Sequence, residues 1–366
     1  MKKLFLLSLA IVAKITLLHA AIINGTCGEN LTWSLNSKDS TLIIEGIGDM
    51  ESWSYSSAPW YDYRAYIKDV VLPEGLTSIG TCAFYDCPKI HRIDIPQGVS
   101  QLGDLAFSFE PALKTVTIPS TVTYIGSRCF ECCYILSELA LPDNVSYIGE
   151  RAFYECDSLR SIVIPSKITT ILEKTFYRCI SLTDISFPEG ITSIGPSAFL
   201  ECCKLNNLQL PNTLLSIEEE AFLRCTSLSR VSIPNSVKTV ANFAFYECTV
   251  LTEVTIGTEI ETIGIYAFDE CNVTKLTMLK PEPPVTGVNC GIIQTTCTLY
   301  VPKESVDDYA NAIWWEDFSY IKAIEELPTA IENPKISENA SKLLRNGQIL
   351  ILRGEKTYTL TGQKVQ

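Results

Sequence analysis

The chain has 366 residues, with 29 Lys+Arg against 42 Asp+Glu, and the resulting charge of -13 excludes the phosphate attraction on which nucleic-acid binding runs. Two histidines and a 46% apolar composition leave no ligands for a multi-histidine metal centre but ample material for a core. No paired carboxylates, phosphate-cradling glycine loop or HExxH cluster stands out, so the chain reads as a non-enzyme without cofactor or metal.

Residues 1–21 read as a secretory signal peptide. Met1-Lys2-Lys3 is basic, Leu4 to Ala13 and Ile15 to Leu18 are apolar, and Ala20-Ala21 supplies the small residues of a cleavage site. The apolar run is too short for a membrane span, which needs about 20 residues. Removing residues 1–20 takes Lys2, Lys3, Lys14 and His19, leaving 26 basic against 42 acidic residues, a charge of -16, with His91 as the one remaining histidine.

Residues 22–66 are expected to form an N-terminal β cap. Leu31, Trp33 and Leu35 alternate, as do Leu42 and Ile44, which predicts a hairpin turning at Asn36 to Ser40. Trp53, Pro59 and Trp60 then lead into a first strand near Ile67 to Leu72.

From 67 to 280 the sequence repeats every 23 residues, about nine times. Phenylalanine falls at Phe84, Phe107, Phe130, Phe153, Phe176, Phe199, Phe222, Phe245 and Phe268. Proline keeps the same step from Pro73 to Pro234, and Gly257 takes the next place. One copy runs Cys156, Leu159, Ile162, Ile164, Pro165, Ile168, Ile171, Phe176. This period and the internal spacing predict a leucine-rich repeat solenoid. Short parallel strands such as Ser161 to Ile164 should line one face, with turns and short helical segments on the other. Each proline ends a strand because it lacks the ladder N–H, and Gly80, Gly103, Gly126, Gly149, Gly195 and Gly264 mark tight bends. A single coil cannot bury its own apolar side, so neighbours must share one core, with each Phe as a wedge opposite the strand.

Cys87, Cys133, Cys156, Cys179, Cys202, Cys225, Cys248 and Cys271 share one repeat position and are expected to stack as a buried ladder of free thiols. Disulfides between rungs would need Cβ atoms about 3.8 Å apart. Cys290 and Cys297 are spaced to close a small loop.

Residues 281–327 read as a C-terminal cap. Pro281, Pro283 and Pro284 break the period, Leu299 to Pro302 suggests a strand, and Val306 to Phe318 a helix with Tyr309, Ile313 and Trp314 turned inward. Residues 328–341 look like a linker, and 342–366 like a small β tail with strands at Gln348 to Leu352 and Lys356 to Leu360, a candidate sorting or attachment element.

The outward positions of the strands form the candidate binding face: Arg92, Asp94, Thr115, Glu138, Asp184, Asn207, Gln209, Arg230 and Glu253. They are small and mixed in sign, and they lack an aromatic and arginine cluster of the kind that anchors tight interfaces. A second stripe holds Tyr85, Tyr154, Tyr177 and Tyr246, read as half-buried packing between coils or as outward contacts.

The repeat resembles the BspA-like leucine-rich repeat proteins, of the treponema-type subgroup. The likeness rests on Ile148-Gly149, Ala152-Phe153-Tyr154, Cys156, Ser158-Leu159, Ile162 and Ile164-Pro165, on Gly25-Thr26-Cys27-Gly28 with Leu31 and Trp33, and on the exit Leu299-Tyr300-Val301-Pro302. It spans about residues 25 to 325. The end of the chain, Gly347-Gln348 and Tyr358 to Lys364, is similar to a C-terminal signature of exported Bacteroidetes proteins. The resemblance implies an extracellular or outer-surface protein, exported through its signal peptide. Its expected partner is a protein or glycan at a cell surface or in extracellular matrix, in the manner of an adhesin. A structural spacer is the alternative. Nucleic acid is not an expected partner, no transmembrane span is expected in the mature chain, and the chain should be monomeric.

Overall fold

The computed structural model describes residues 22–36, 38–286 and 289–324, together with the backbone of strand segments between 340 and 365. The leader expected over 1–21 and most of the expected linker lie outside the described residues. The chain divides into two compact units, Met1–Ala323 and Ile324–Gln366.

Three strands open the first unit: β1 (Ile22–Gly28), β2 (Leu31–Asn36) and β3 (Thr41–Asp49). β2 and β3 form the expected antiparallel hairpin, Asn36 opposite Thr41. The Asn36 amide holds the turn, donating to Asp39 Oδ2 at 2.8 Å while its Oδ1 accepts from the Lys38 N–H at 3.0 Å. β1 adds a third strand antiparallel to β2. β3 then pairs in parallel with Asp69–Val71 and Gly75–Ile79, so one strand converts an antiparallel cap into a parallel stack.

Parallel pairing repeats in steps of 23. Ser161, Ile162 and Val163 face Asp184, Ile185 and Ser186, and Arg230 to Ile233 face Glu253 to Ile256. Val231 is buried between exposed neighbours, and Ile162 between the exposed Ser161 and the half-buried Val163, the two-residue alternation of a strand with one wet face. Each coil carries a second, two-residue ladder before its bend, as in Thr170-Ile171, Ser193-Ile194 and Ser216-Ile217.

The turn side is built differently. Around each Phe, alternate residues donate their N–H forward, to the next coil: Arg151 to Glu173 O, Phe153 to Thr175 O, and Glu155 to Tyr177 O, at 2.8–3.0 Å. The residues between them donate backward within the coil, Ala152 to Gly149 O and Tyr154 to Arg151 O. Two of the forward donors per coil, Arg151 and Glu155 here, take left-handed φ near 57° and 55°. That conformation costs a non-glycine residue about 1 kcal/mol or more, and here it aims an N–H at a waiting carbonyl.

The bend glycines have ordinary negative φ. Their role is close approach, since a Cβ on Gly103 would sit 2.5 Å from Thr81 N and 2.7 Å from Gly80 C of the coil before.

The C-terminal cap holds the expected strand, at Thr298–Val301, paired with Lys275 to Thr277 and with Tyr320 to Ala323. The expected helix is shorter. It runs as α1 over Val306–Ala310 and stops at Asn311, whose side chain donates to Asp307 O. The chain then turns through Trp314 at φ 74° into a single 3-10 turn at Trp315–Asp317. Ile313, expected to face inward, is 88% exposed because the helix ends before reaching it. Tyr309 is buried as expected, Trp314 is half-buried, and Trp315 takes the inward place, with Tyr309 Oη donating to Lys280 O at 3.0 Å and Trp315 Nε1 to Pro284 O at 3.1 Å.

The second unit is an antiparallel sheet of Ala340–Arg345, Gln348–Arg353, Lys356–Thr359 and Lys364–Val365. Its middle strands match the two expected ones, and the outer two are additional.

Candidate interaction surfaces and the interior columns

Nine phenylalanines, Phe84 to Phe268, are fully buried and stack face to face. Successive centroids lie 5.2–5.7 Å apart with planes within 3–10°. The slipped-stack range for aromatic pairs is about 4.5–7 Å, so each ring serves both neighbours. Trp60 closes the column over Phe84 at 5.8 Å.

Beside the rings runs the thiol column. From Cys133 onward each Sγ donates to the Phe carbonyl one coil back: Cys133 to Phe107, Cys156 to Phe130, Cys179 to Phe153 and Cys202 to Phe176, all at 3.2 Å. The backbone N–H of each of these residues bonds the Phe carbonyl of its own coil, Cys133 to Phe130 O at 3.3 Å and Cys156 to Phe153 O at 3.2 Å, and also acts on the sulfur of the next coil, where it opposes the upward push of burial on the thiol. Burial pushes these thiols well above their ordinary range. All fifteen cysteines are free. Cys290 and Cys297, spaced for a loop, are unbonded and buried. Cys290 occupies the last rung of the small-residue column that holds Ala244 and Ala267, its carbonyl accepting from Phe268 N at 2.8 Å.

The thiol column has one exception. In the coil of Phe107 the position is held by Glu110, completely buried.

On the strand face, the candidate residues point outward and stack by register: Arg92 beside Thr115, Asp94 beside Thr117, Arg230 beside Glu253. Several are already paired. Arg92 clasps Asp94 of its own strand, Nε to Oδ2 at 2.8 Å and Nη2 to Oδ1 at 2.8 Å, and Thr117 donates to Asp94 as well. The guanidinium holds the Asp94 carboxyl below its usual range. Asp184 is half-buried and accepts from Thr183, and Gln209 donates to Asn207 at 3.3 Å. Thr115 and Glu138 meet in a single parallel bridge. Glu138, Arg230 and Glu253 are exposed.

The turn face carries a charge ladder that the sequence reading missed. Arg178 reaches Glu155 at 3.4 Å and Glu201 at 3.3 Å, and Arg224 reaches Glu201 at 3.0 Å and Glu247 at 2.7 Å. All five residues sit two places after a Phe, so the signal was an alternation of sign at a step of 23. The tyrosines are half-buried, and Tyr154 and Tyr177 stack at 4.6 Å. His91 is exposed.

Among the described residues no group of three or more His, Cys, Asp or Glu is placed to hold a metal ion. No helix among them is long and apolar enough to cross a membrane.

These features define a parallel leucine-rich repeat solenoid of 23-residue coils, a scaffold that displays surfaces. The model of the BspA type leucine rich repeat region matches residues 59–183 and 169–282 in six copies, more than half of the chain, and the chain belongs to that family. The family is a non-catalytic protein-interaction scaffold.

Comparison with curated proteins returns no match. Among solved structures, a leucine-rich repeat protein from Bacteroides ovatus is similar at 19% identity and a TM-score of 0.38, over 83% of this chain and 98% of that one. The pneumococcal vaccine antigen PcpA is similar at 18% and 0.43, over 84% and 99%. A Treponema pallidum leucine rich repeat protein is similar at 24% and 0.40, over 50% and 91%. At these values they are likenesses only.

Proposed function

We propose that this chain is an exported, adhesin-like binding module that takes a protein or glycan partner at a cell surface or in extracellular matrix. In this reading residues 1–21 are a signal peptide, 22–66 the N-terminal cap, 67–280 the solenoid, 281–327 the C-terminal cap, 328–341 a linker and 342–366 a sorting or attachment element of the Bacteroidetes kind. The repeats belong to the treponema-type subgroup, and the working form is a monomer at the outer surface or released.

One observation carries the reading: the interaction-scaffold repeat presents a row of mixed-sign side chains in strict register on its strand face, with the exposed Arg230 beside the exposed Glu253, and Glu253 beside the half-buried Lys275. Solenoids of this kind bind through such extended faces. The pairing of Arg92 with Asp94 favours the alternative, a structural spacer, because charges that satisfy each other offer less to a ligand.

The test is a screen of the purified chain against host matrix proteins and glycans, beside a variant altered at Arg92, Asp94, Glu138, Asp184, Arg230 and Glu253. Saturable binding lost in the variant supports the strand face. A folded chain that binds nothing in the screen moves the assignment to the spacer.

A further inference from the structure

Glu110 stands where the neighbouring coils place a cysteine, and its surroundings define what that position requires. In coil after coil the side chain there does two things: it meets the backbone N–H of the coil before, and it donates a hydrogen to the Phe carbonyl of the coil before. A thiol does both. A carboxylate can only accept.

Glu110 makes the accepting half. Its Oε1 takes the Cys87 N–H at 2.6 Å, an N–H that in the thiol coils bonds the Phe carbonyl of its own coil, as Cys133 does to Phe130 O at 3.3 Å. Oε2 is buried without a hydrogen-bond partner. By the column's register the acceptor that corresponds to it is the carbonyl of Phe84. A proton on Oε2 turns the side chain into the donor-acceptor pair that the position uses.

Among the described residues no cation acts on the group. From the coil before it come Asp86, of like charge, and the Cys87 thiol, and from the coil after it the Cys133 thiol. Arg64, which acts on the Cys87 thiol, is committed to Asp86, Nε to Oδ2 at 2.8 Å. Desolvation, with Asp86 adding to it, pushes the Glu110 carboxyl well above the ordinary carboxylate range, against the lowering effect of the Cys87 N–H.

We propose that Glu110 is held in the core as a neutral carboxylic acid, and that its ionisation loosens the coils of Phe84 and Phe107, making this end of the solenoid a proton-responsive segment. Because each coil contacts only its neighbours, the loosening is local. The native chain keeps a proton that the unfolded chain has lost, so the stabilisation is complete below the ordinary carboxyl range. It falls as pH rises towards the raised value for Glu110, and is gone once that value is passed.

The experiment compares full-length wild type with Glu110→Gln and Glu110→Cys. Infrared spectra at neutral pH should show a protonated carboxyl band in wild type that is absent from both variants. On raising the pH, the wild-type folding equilibrium should weaken by up to roughly tenfold per pH unit relative to the variants. Hydrogen exchange should quicken around Phe84 and Phe107 before it does around Phe222 and Phe245. Should Glu110→Gln fail to fold, Glu110→Cys, which restores the column's own residue, decides alone. Absence of the protonated band, or a wild type whose pH profile tracks that of the folded variants, overturns the proposal.

Discussion

The indole Nε1 of Trp60 donates to the carbonyl oxygen of Ala83 at 2.8 Å, deep in the core. Ala83 is the first member of a column in which every later carbonyl, from Ala106 onward, accepts from the Phe one coil before. With no earlier coil to supply a donor, the tryptophan supplies it, while its ring lies over Phe84. Trp53 does the same through its backbone, donating to Thr81 O at 2.9 Å.

Trp60→Phe keeps an aromatic ring over Phe84 but leaves the Ala83 carbonyl buried and unpaired. We expect a loss of about 1–3 kcal/mol in urea unfolding. An unchanged midpoint would remove the capping role.

Phe176→Ala takes out a ring stacked on Phe153 at 5.4 Å and on Phe199 at 5.3 Å. The lost transfer energy and the cavity together should cost about 3–5 kcal/mol. A cost below about 1 kcal/mol would contradict the packing described here.

Thiol accessibility separates two groups of cysteine. Cys203 and Cys271 are partly exposed, while the rest are buried, and burial pushes Cys27 up to about 11. The thiolate is the reactive form, so alkylation of the folded chain followed by peptide mass mapping should modify Cys203 and Cys271 first. Prompt labelling of Cys156 would show that the column is open.

Arg224→Ala breaks two ion pairs of the turn-face ladder, to Glu201 and Glu247. The guanidinium is about half exposed, so solvent and salt screen it, and the expected cost is about 1 kcal/mol or less, shrinking as salt is added. A large, salt-independent cost would mean that the side chain packs rather than pairs.

Gly103→Ala places a methyl against backbone of the preceding coil, where nothing can swing aside. A destabilisation of about 1–3 kcal/mol is expected from the forced separation of two coils, and a thermal melt reads it.

What the sequence made legible was whatever repeats as a residue type. Phe176 and Pro165 recur because the inside of a coil and the end of a strand admit few alternatives, and both fix the register of the stack. The left-handed positions did not announce themselves, since they are filled by residues as different as Cys82, Arg151, Glu201 and Phe243. Their requirement is met by backbone hydrogen bonding, which any side chain permits. The second ladder was hidden because two residues are too few to show a period. Glu110 was passed over as the gap between Cys87 and Cys133, although the gap itself was the signal. On the candidate face, outward placement could be read from alternation, but the clasp of Arg92 on Asp94 depends on rotamers that spacing does not specify.

The forward-donating turns also give the stack an electrical direction. Three peptide groups per coil, those ending at Arg151, Phe153 and Glu155 for example, point their N–H groups towards the C-terminal end and their carbonyls towards the N-terminal end. The parallel ladders contribute little net dipole of their own. Peptide dipoles of about 3.5 D aligned through successive coils add head to tail, as they do in a helix. Along this flank, partial positive charge therefore gathers near Tyr266 and Phe268, and partial negative charge near Trp53 and Trp60.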